Sequence, residues 1–161
     1  SYGYLVGTHA RDKDGVVASM LISDMAAYYY DKGMSLYEGL IELYDKVGYF
    51  KEDMISLTLS GISGLEKIKE IMEYFRNNGL EQIGCLKVIE TKDYNEGIDG
   101  LPKSNVLKFI LEDGSWVAAR PSGTEPKLKF YIGTCGESNK NVENKCKNIK
   151  GMLVEKINQL M

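Results

Sequence analysis

Apolar side chains run almost all the way round a helical repeat between residues 16 and 31. Val16, Val17, Met20, Leu21, Ile22, Met25, Ala26, Ala27 and Tyr28 leave only Ser19, Ser23 and Asp24 clearly polar. A helix patterned this way needs cover on several sides. Asp14 stands where an N-cap belongs, and Gly33 where the helix should stop. Ser35 and Glu38 then have the spacing of a capping box, followed by a stripe of Leu36, Leu40, Leu43 and Val47 that ends at Gly48. Two such helices in the first 48 residues have no sheet of their own to cover, so their partner is expected outside the chain.

The period changes near Tyr49. Residues 53–60 alternate strictly, with Ile55, Leu57 and Leu59 on one side and Ser56, Thr58 and Ser60 on the other, which predicts a half-buried strand. Ser63 and Glu66 suggest a second capping box for a helix with the stripe Leu65, Ile68, Ile71, Met72 and Phe75, closed by Gly79. Strands are expected at 85–91, 106–111 and 115–119, the last two flanking the turn dipeptide Asp113-Gly114, with a loop over 92–104. Another follows at 127–133, pointing Leu128, Phe130 and Ile132 inward and Lys127, Lys129 and Tyr131 outward. Ser138 caps a closing helix striped by Val142, Cys146, Ile149, Leu153, Ile157 and Leu160. Hairpin-linked strands with two helices predict an α+β domain over 49–161, an antiparallel sheet with both helices on one face, preceded by a helical remnant over 1–48.

Composition narrows what such a domain does. A hydrophobic content of 43% in 161 residues supports a sizeable core, and a net charge of −3 excludes a broadly basic surface. Together with a single tryptophan and no expected basic and aromatic interleaving along a strand face, this argues against a nucleic-acid partner. No apolar run approaches a membrane span, no segment has signal-peptide architecture, and the three cysteines form no C-x-x-C pair. The expectation is a cytoplasmic protein with no membrane partner.

Positive charge is concentrated locally, in R-P-S-G-T-E-P-K-L-K at residues 120–129. Arg120 offers a planar fork of donors suited to phosphate oxygens; Ser122 and Thr124 add hydroxyls, Gly123 lets backbone N–H groups approach, and two prolines restrain the flanks. The loop joins two strands, and neither G-x-x-x-x-G-K-[ST] nor G-x-G-x-x-G occurs. By spacing alone, P-S-G-T is equally a turn beside a solvated arginine.

R-P-S-G-T-E-P-K-L-K-F-Y resembles the C-terminal phosphate-binding loop of the α-D-phosphohexomutases, the phosphoglucomutase and phosphomannomutase enzymes. S-Y-G-Y-L-V-G-T-H-A-R-D-K-D-G is similar to the same family from the end of its sugar-recognition loop, usually G-E-E-S, into the last helices of its third domain. The motifs occur in the family's order, and the resemblance covers essentially the whole chain. It implies that 1–48 is the end of the third, sugar-binding domain and 49–161 the fourth, phosphate-binding domain.

The same resemblance implies roles at matching positions only. Arg120, Ser122, Gly123 and Thr124 would hold the non-reacting phosphate of a phosphosugar, with Lys129 assisting. Ser1 would contact the sugar, although the preceding glutamates of the motif are absent. His9 and Lys13 would lie in the catalytic cleft, Lys13 touching phosphate or aiding proton transfer. As alternatives, His9 is a packing or capping residue and Lys13 a solvated charge at an unfavourable helix end. The family's phosphoserine loop, T-A-S-H-N-P, and its Mg2+ loop, D-G-D-x-D-R, do not occur in these residues. The expectation is therefore an inactive piece with no cofactor of its own. Its parent, completed by N-terminal domains, would use Mg2+ and a hexose 1,6-bisphosphate to interconvert hexose 1-phosphate and 6-phosphate. A non-catalytic module binding a phospho-ligand or a protein is the alternative.

Overall fold

The computed structural model describes residues 5–8, 11–98 and 100–161. Its chain divides into two compact units, Ser1–Val47 and Gly48–Met161.

The first unit is a helix pair. Asp14 caps α1 (Gly15–Asp31), its carboxylate accepting from the N–H groups of Val16 at 2.8 Å and Val17 at 3.1 Å. At the start of α2 (Leu36–Val47) the capping box is reciprocal: Glu38 accepts from Ser35 N–H at 2.7 Å, and Ser35 Oγ accepts from Glu38 N–H at 3.2 Å. The helices meet where the Tyr29 ring lies on Gly39, so close that a Cβ there would stand 2.5 Å from the ring. Beyond that contact, Val16, Met20, Tyr28 and Tyr30 of α1 and Leu40, Leu43 and Val47 of α2 remain exposed. The pattern expected to want further cover finds little within the unit.

In the second unit six strands form one sheet, β1 (Tyr49–Thr58), β2 (Gln82–Ile83), β3 (Leu86–Asp93), β4 (Leu107–Leu111), β5 (Trp116–Pro121) and β6 (Lys127–Gly136). Their order is β1-β6-β5-β4-β3-β2, antiparallel throughout. Helices α3 (Gly61–Asn78) and α4 (Asn139–Leu160) contribute Ile68, Ile71, Met72 and Phe75, and Cys146, Ile149, Leu153 and Ile157, to one core with Leu107, Phe109, Val117, Leu128 and Phe130. Phe75 is fully buried, its ring 5.4 Å from that of Phe130 and 6.4 Å from that of Phe109. Both helices thus cover one sheet face, as the alternation predicts, and among the described residues of this unit neither α-helix lies on the other face.

Local departures have identifiable causes. β1 begins at Tyr49 instead of 53, because β6 continues to Gly136 and pairs with it throughout, although the Lys51-Glu52-Asp53 run hides the alternation. α3 starts earlier than its suggested capping box. Ser60 is its N-cap without a side-chain bond, and Gly64 lets the first turns fold tightly against Leu59, so Ser63 and Glu66 lie inside the helix. β2 is only two residues long and leaves no period to read, yet its Ile83 is fully buried. Within the expected loop, Arg76 of α3 ties down both ends, donating to Asp93 at 2.6 Å and to Asn105 at 2.8 Å.

Candidate functional site

The loop between β5 and β6 is held from within. Ser122 N–H donates to Lys127 O at 2.8 Å, closing the strand pair beneath the turn. Ser122 Oγ accepts from the N–H groups of Thr124 at 3.4 Å and Glu125 at 3.3 Å. Its acceptor capacity therefore shapes the loop, while its own hydrogen remains available to donate outward. Gly123 is not in the left-handed region; a Cβ there would meet nothing within 4 Å. Its smallness keeps the space over the loop open and is not a requirement of the turn.

Arg120 and Lys129 face each other directly in the β5–β6 register, on the sheet face opposite α3 and α4. Two like charges set opposite each other across strands repel. Among the described residues neither makes an ion pair or hydrogen bond, whereas neighbouring Lys127 is neutralised by Glu125 at 3.0 Å. A cavity of about 360 Å3 opens here, lined by Arg120–Glu125, Lys127, Lys129 and Tyr131. It brings together every sequence-predicted residue of this loop, namely Arg120, Ser122, Gly123, Thr124 and Lys129. Unpaired cations, a free hydroxyl at Thr124 and an outward Ser122 hydrogen surrounding open space are chemically complementary to one multivalent oxyanion.

Glu125 and Lys127 belong to the charged stretch at 120–129, but neither they nor Tyr131 were among the expected site residues. The strand alternation already placed Lys127 and Tyr131 beside Lys129, and that was the available signal. It also corrects the expectation of no basic and aromatic interleaving: Lys127, Lys129 and Tyr131 follow one another on the outer face of β6, and Lys108 Nζ lies 4.8 Å from the centroid of the Trp116 ring. With Lys127 paired to Glu125 and Lys108 stacked on Trp116, the unpaired positive charge among the described residues of the loop and its flanking strand ends sits on the adjacent Arg120 and Lys129. That geometry suits one anionic group better than a track along a polyanion.

Lys13 lies in the other unit, where its ammonium pairs with Asp12 at 2.6 Å and holds that carboxyl below its ordinary pKa. Ser1 and His9 lie outside the described residues. Among the described residues no group of three or more His, Cys, Asp or Glu side chains is placed to hold a metal ion, and no helix is long and apolar enough to cross a membrane.

The chain is similar to known proteins in sequence and in fold. Residues 63–147 match the family described as phosphoglucomutase/phosphomannomutase, C-terminal domain. A phosphoglucomutase of Staphylococcus aureus (strain MSSA476) is 35% identical over an alignment covering 100% of this chain and 29% of the relative. One from Staphylococcus saprophyticus is 37% identical over 82% of this chain and 26% of the relative. The chain thus spans little more than a quarter of the curated relatives it matches. The solved open form of pp63/parafusin, a phosphoglucomutase from Paramecium, superposes on 95% of this chain and 28% of its own, with a TM-score of 0.64 at 20% identity, a likeness of fold.

Proposed function

Because this chain belongs to the phosphoglucomutase/phosphomannomutase C-terminal domain family, we propose that it is the phosphate-gripping part of an enzyme that interconverts hexose 1-phosphate and hexose 6-phosphate. The observation that carries the reading is the unpaired Arg120 and Lys129 facing each other at an open loop cavity. An enzyme of this kind passes a phosphoryl group to its substrate, forms a 1,6-bisphosphate, and recovers the other phosphate after the sugar reorients. At each stage one phosphate reacts and the other must be held. A grip that addresses phosphate oxygens through Arg120, Lys129, Ser122 and Thr124, and leaves the sugar to other groups, accepts either orientation.

In this reading residues 1–48 complete a sugar-binding domain whose remainder lies in the parent, and the exposed faces of α1 and α2 pack there. Ser1 contacts the sugar, and His9 and Lys13 line the cleft. Lys13 turns from Asp12 to substrate phosphate, an exchange that an exposed ion pair permits at little cost. Mg2+ is held by the parent's other domains, and it stabilises charge on the transferring group. The cytoplasm, where phosphosugars are handled, is the proposed location.

The reading is tested by titrating the labelled chain with inorganic phosphate and glucose 6-phosphate while following backbone amides by NMR. Shifts centred on residues 120–124, weakened tenfold or more by Arg120→Ala, are expected. Shifts centred elsewhere refute it. Mutase activity is expected only when the chain is joined to its N-terminal domains; turnover by the chain alone overturns the assignment of the chemistry to those domains.

A further inference from the structure

Tyr131 stands two residues beyond Lys129 on β6, on the same outer face, directly opposite Ala118. Strands advance about 3.3–3.4 Å per residue, so its ring follows the cation by roughly 7 Å. The small Ala118 leaves room on one flank of the half-buried ring, while Met54 of β1 stands opposite it on the other. The ring bounds the loop cavity and also a second hollow of about 260 Å3, shared with Glu52, Met54 and Trp116. Among the described residues it makes no hydrogen bond, ion pair or ring contact.

Two other aromatics of this face are differently placed: Phe50 stands opposite Cys135, two register positions beyond Gly133 and away from the loop, and Trp116 shares the second hollow. Trp116 lies against Gly133 so closely that a Cβ there would stand 2.4 Å from the indole, and it already holds the Lys108 ammonium. Trp116 is engaged with the protein, whereas Tyr131 keeps both an apolar ring and a hydroxyl for something else. A bare phosphate held between Arg120 and Lys129 does not extend to it. The carbon skeleton of a cyclic phosphate ester does.

We propose that Tyr131 is the platform on which the ring of a sugar phosphate rests, making it a specificity residue that favours pyranose phosphates over inorganic phosphate. The inference depends on the reading of the 120–124 loop as a phosphate grip. C–H groups of the sugar lie against the aromatic ring, and the phenol exchanges a hydrogen bond with a sugar hydroxyl. Contact with an aromatic face is only weakly directional, so it tolerates a sugar presented from either end, which is the tolerance the phosphate grip has.

The test compares three probes on the full chain: inorganic phosphate, glycerol 3-phosphate and glucose 6-phosphate. With the unaltered protein, glucose 6-phosphate is expected to bind roughly threefold to tenfold more tightly than the other two, and Tyr131 ring protons to show NOEs to sugar C–H protons. Tyr131→Ala should abolish the preference while leaving inorganic phosphate affinity within twofold; Tyr131→Phe should keep most of it. Retained phosphate binding shows that the variant is folded, and the NOE experiment needs no variant. Equal affinities in the unaltered protein, or a preference that survives in Tyr131→Ala, overturn the inference while leaving the phosphate grip standing. If no probe shifts the 120–124 amides, the underlying reading fails first.

Discussion

Neutralising Lys129 should stabilise the folded chain while weakening its hold on phosphate. Lys129 and Arg120 face each other across β5 and β6 with no carboxylate partner among the described residues. Were the two charge centres ~7 Å apart in water, their repulsion would be about 0.6 kcal/mol before screening, and roughly half that at physiological salt. Lys129→Gln removes this term. Thermal unfolding at low ionic strength is expected to rise by roughly 1–4 °C, and the gain should shrink as salt is added. Net charge alone predicts the opposite sign, because the chain is already at −3 and loses a cation. Lys127→Gln is the matched control: it loses the pairing with Glu125, and no gain is expected. In NMR titrations Lys129→Gln should need severalfold more phosphate than the unaltered chain. A lowered melting temperature at low salt, or an unchanged phosphate response, would refute the argument that these cations are held together for a ligand.

Gly133→Ala places a methyl 2.4 Å from the indole of Trp116, so it should cost about 1–3 kcal/mol and change the fluorescence of the chain's single tryptophan, both read in one denaturant titration. Phe75→Ala empties the centre of the core between Phe109 and Phe130 and should cost about 3–5 kcal/mol, measured the same way. Asp113 is drawn in by burial, which alone would raise its pKa, but Lys145 Nζ at 2.6 Å and the Ser115 N–H outweigh this and hold it below the ordinary carboxylate range. The stability from this pair is therefore present above the unfolded carboxyl's pKa and lost as pH falls through the folded value. Asp113→Asn should destabilise by about 1–2 kcal/mol at neutral pH, with the difference closing in acid-denaturation curves as pH falls through the lowered folded-state value.

What the sequence disclosed depended on how locally each feature is determined. The β6 segment was legible because Leu128, Phe130 and Ile132 alternate with Lys127, Lys129 and Tyr131, and a period of two is all a strand requires. Capping at Asp14 and Ser35 was legible for the same reason, since the partners lie within three residues. The start of β1 was not: residues 49–52 become strand by pairing with 133–136, more than eighty positions away. Nor was the role of Gly133, which is set by Trp116 on the neighbouring strand. In the site, the loop's chemistry was readable from composition. The unpaired state of Arg120 and Lys129 was not, because it depends on register and on Glu125 choosing Lys127.

That choice bears on how the grip is built. If Glu125 were to pair with Arg120 or Lys129, the loop would be electrostatically quiet but closed to an anion. Pairing with Lys127 instead, two positions away, spans the turn at Pro126 and leaves the opposed cations clear. The repulsion between them is borne by a sheet whose far side is packed by Phe75, Phe109, Phe130 and the α4 stripe, and which loses little by carrying a few tenths of a kcal/mol. The cations are thus positioned before any ligand arrives, and little side-chain rearrangement remains for binding to impose. In the proposed grip, a phosphate entering the cavity would relieve a repulsion as it forms its contacts, so the same charge arrangement that mildly destabilises the empty fold would strengthen the occupied one.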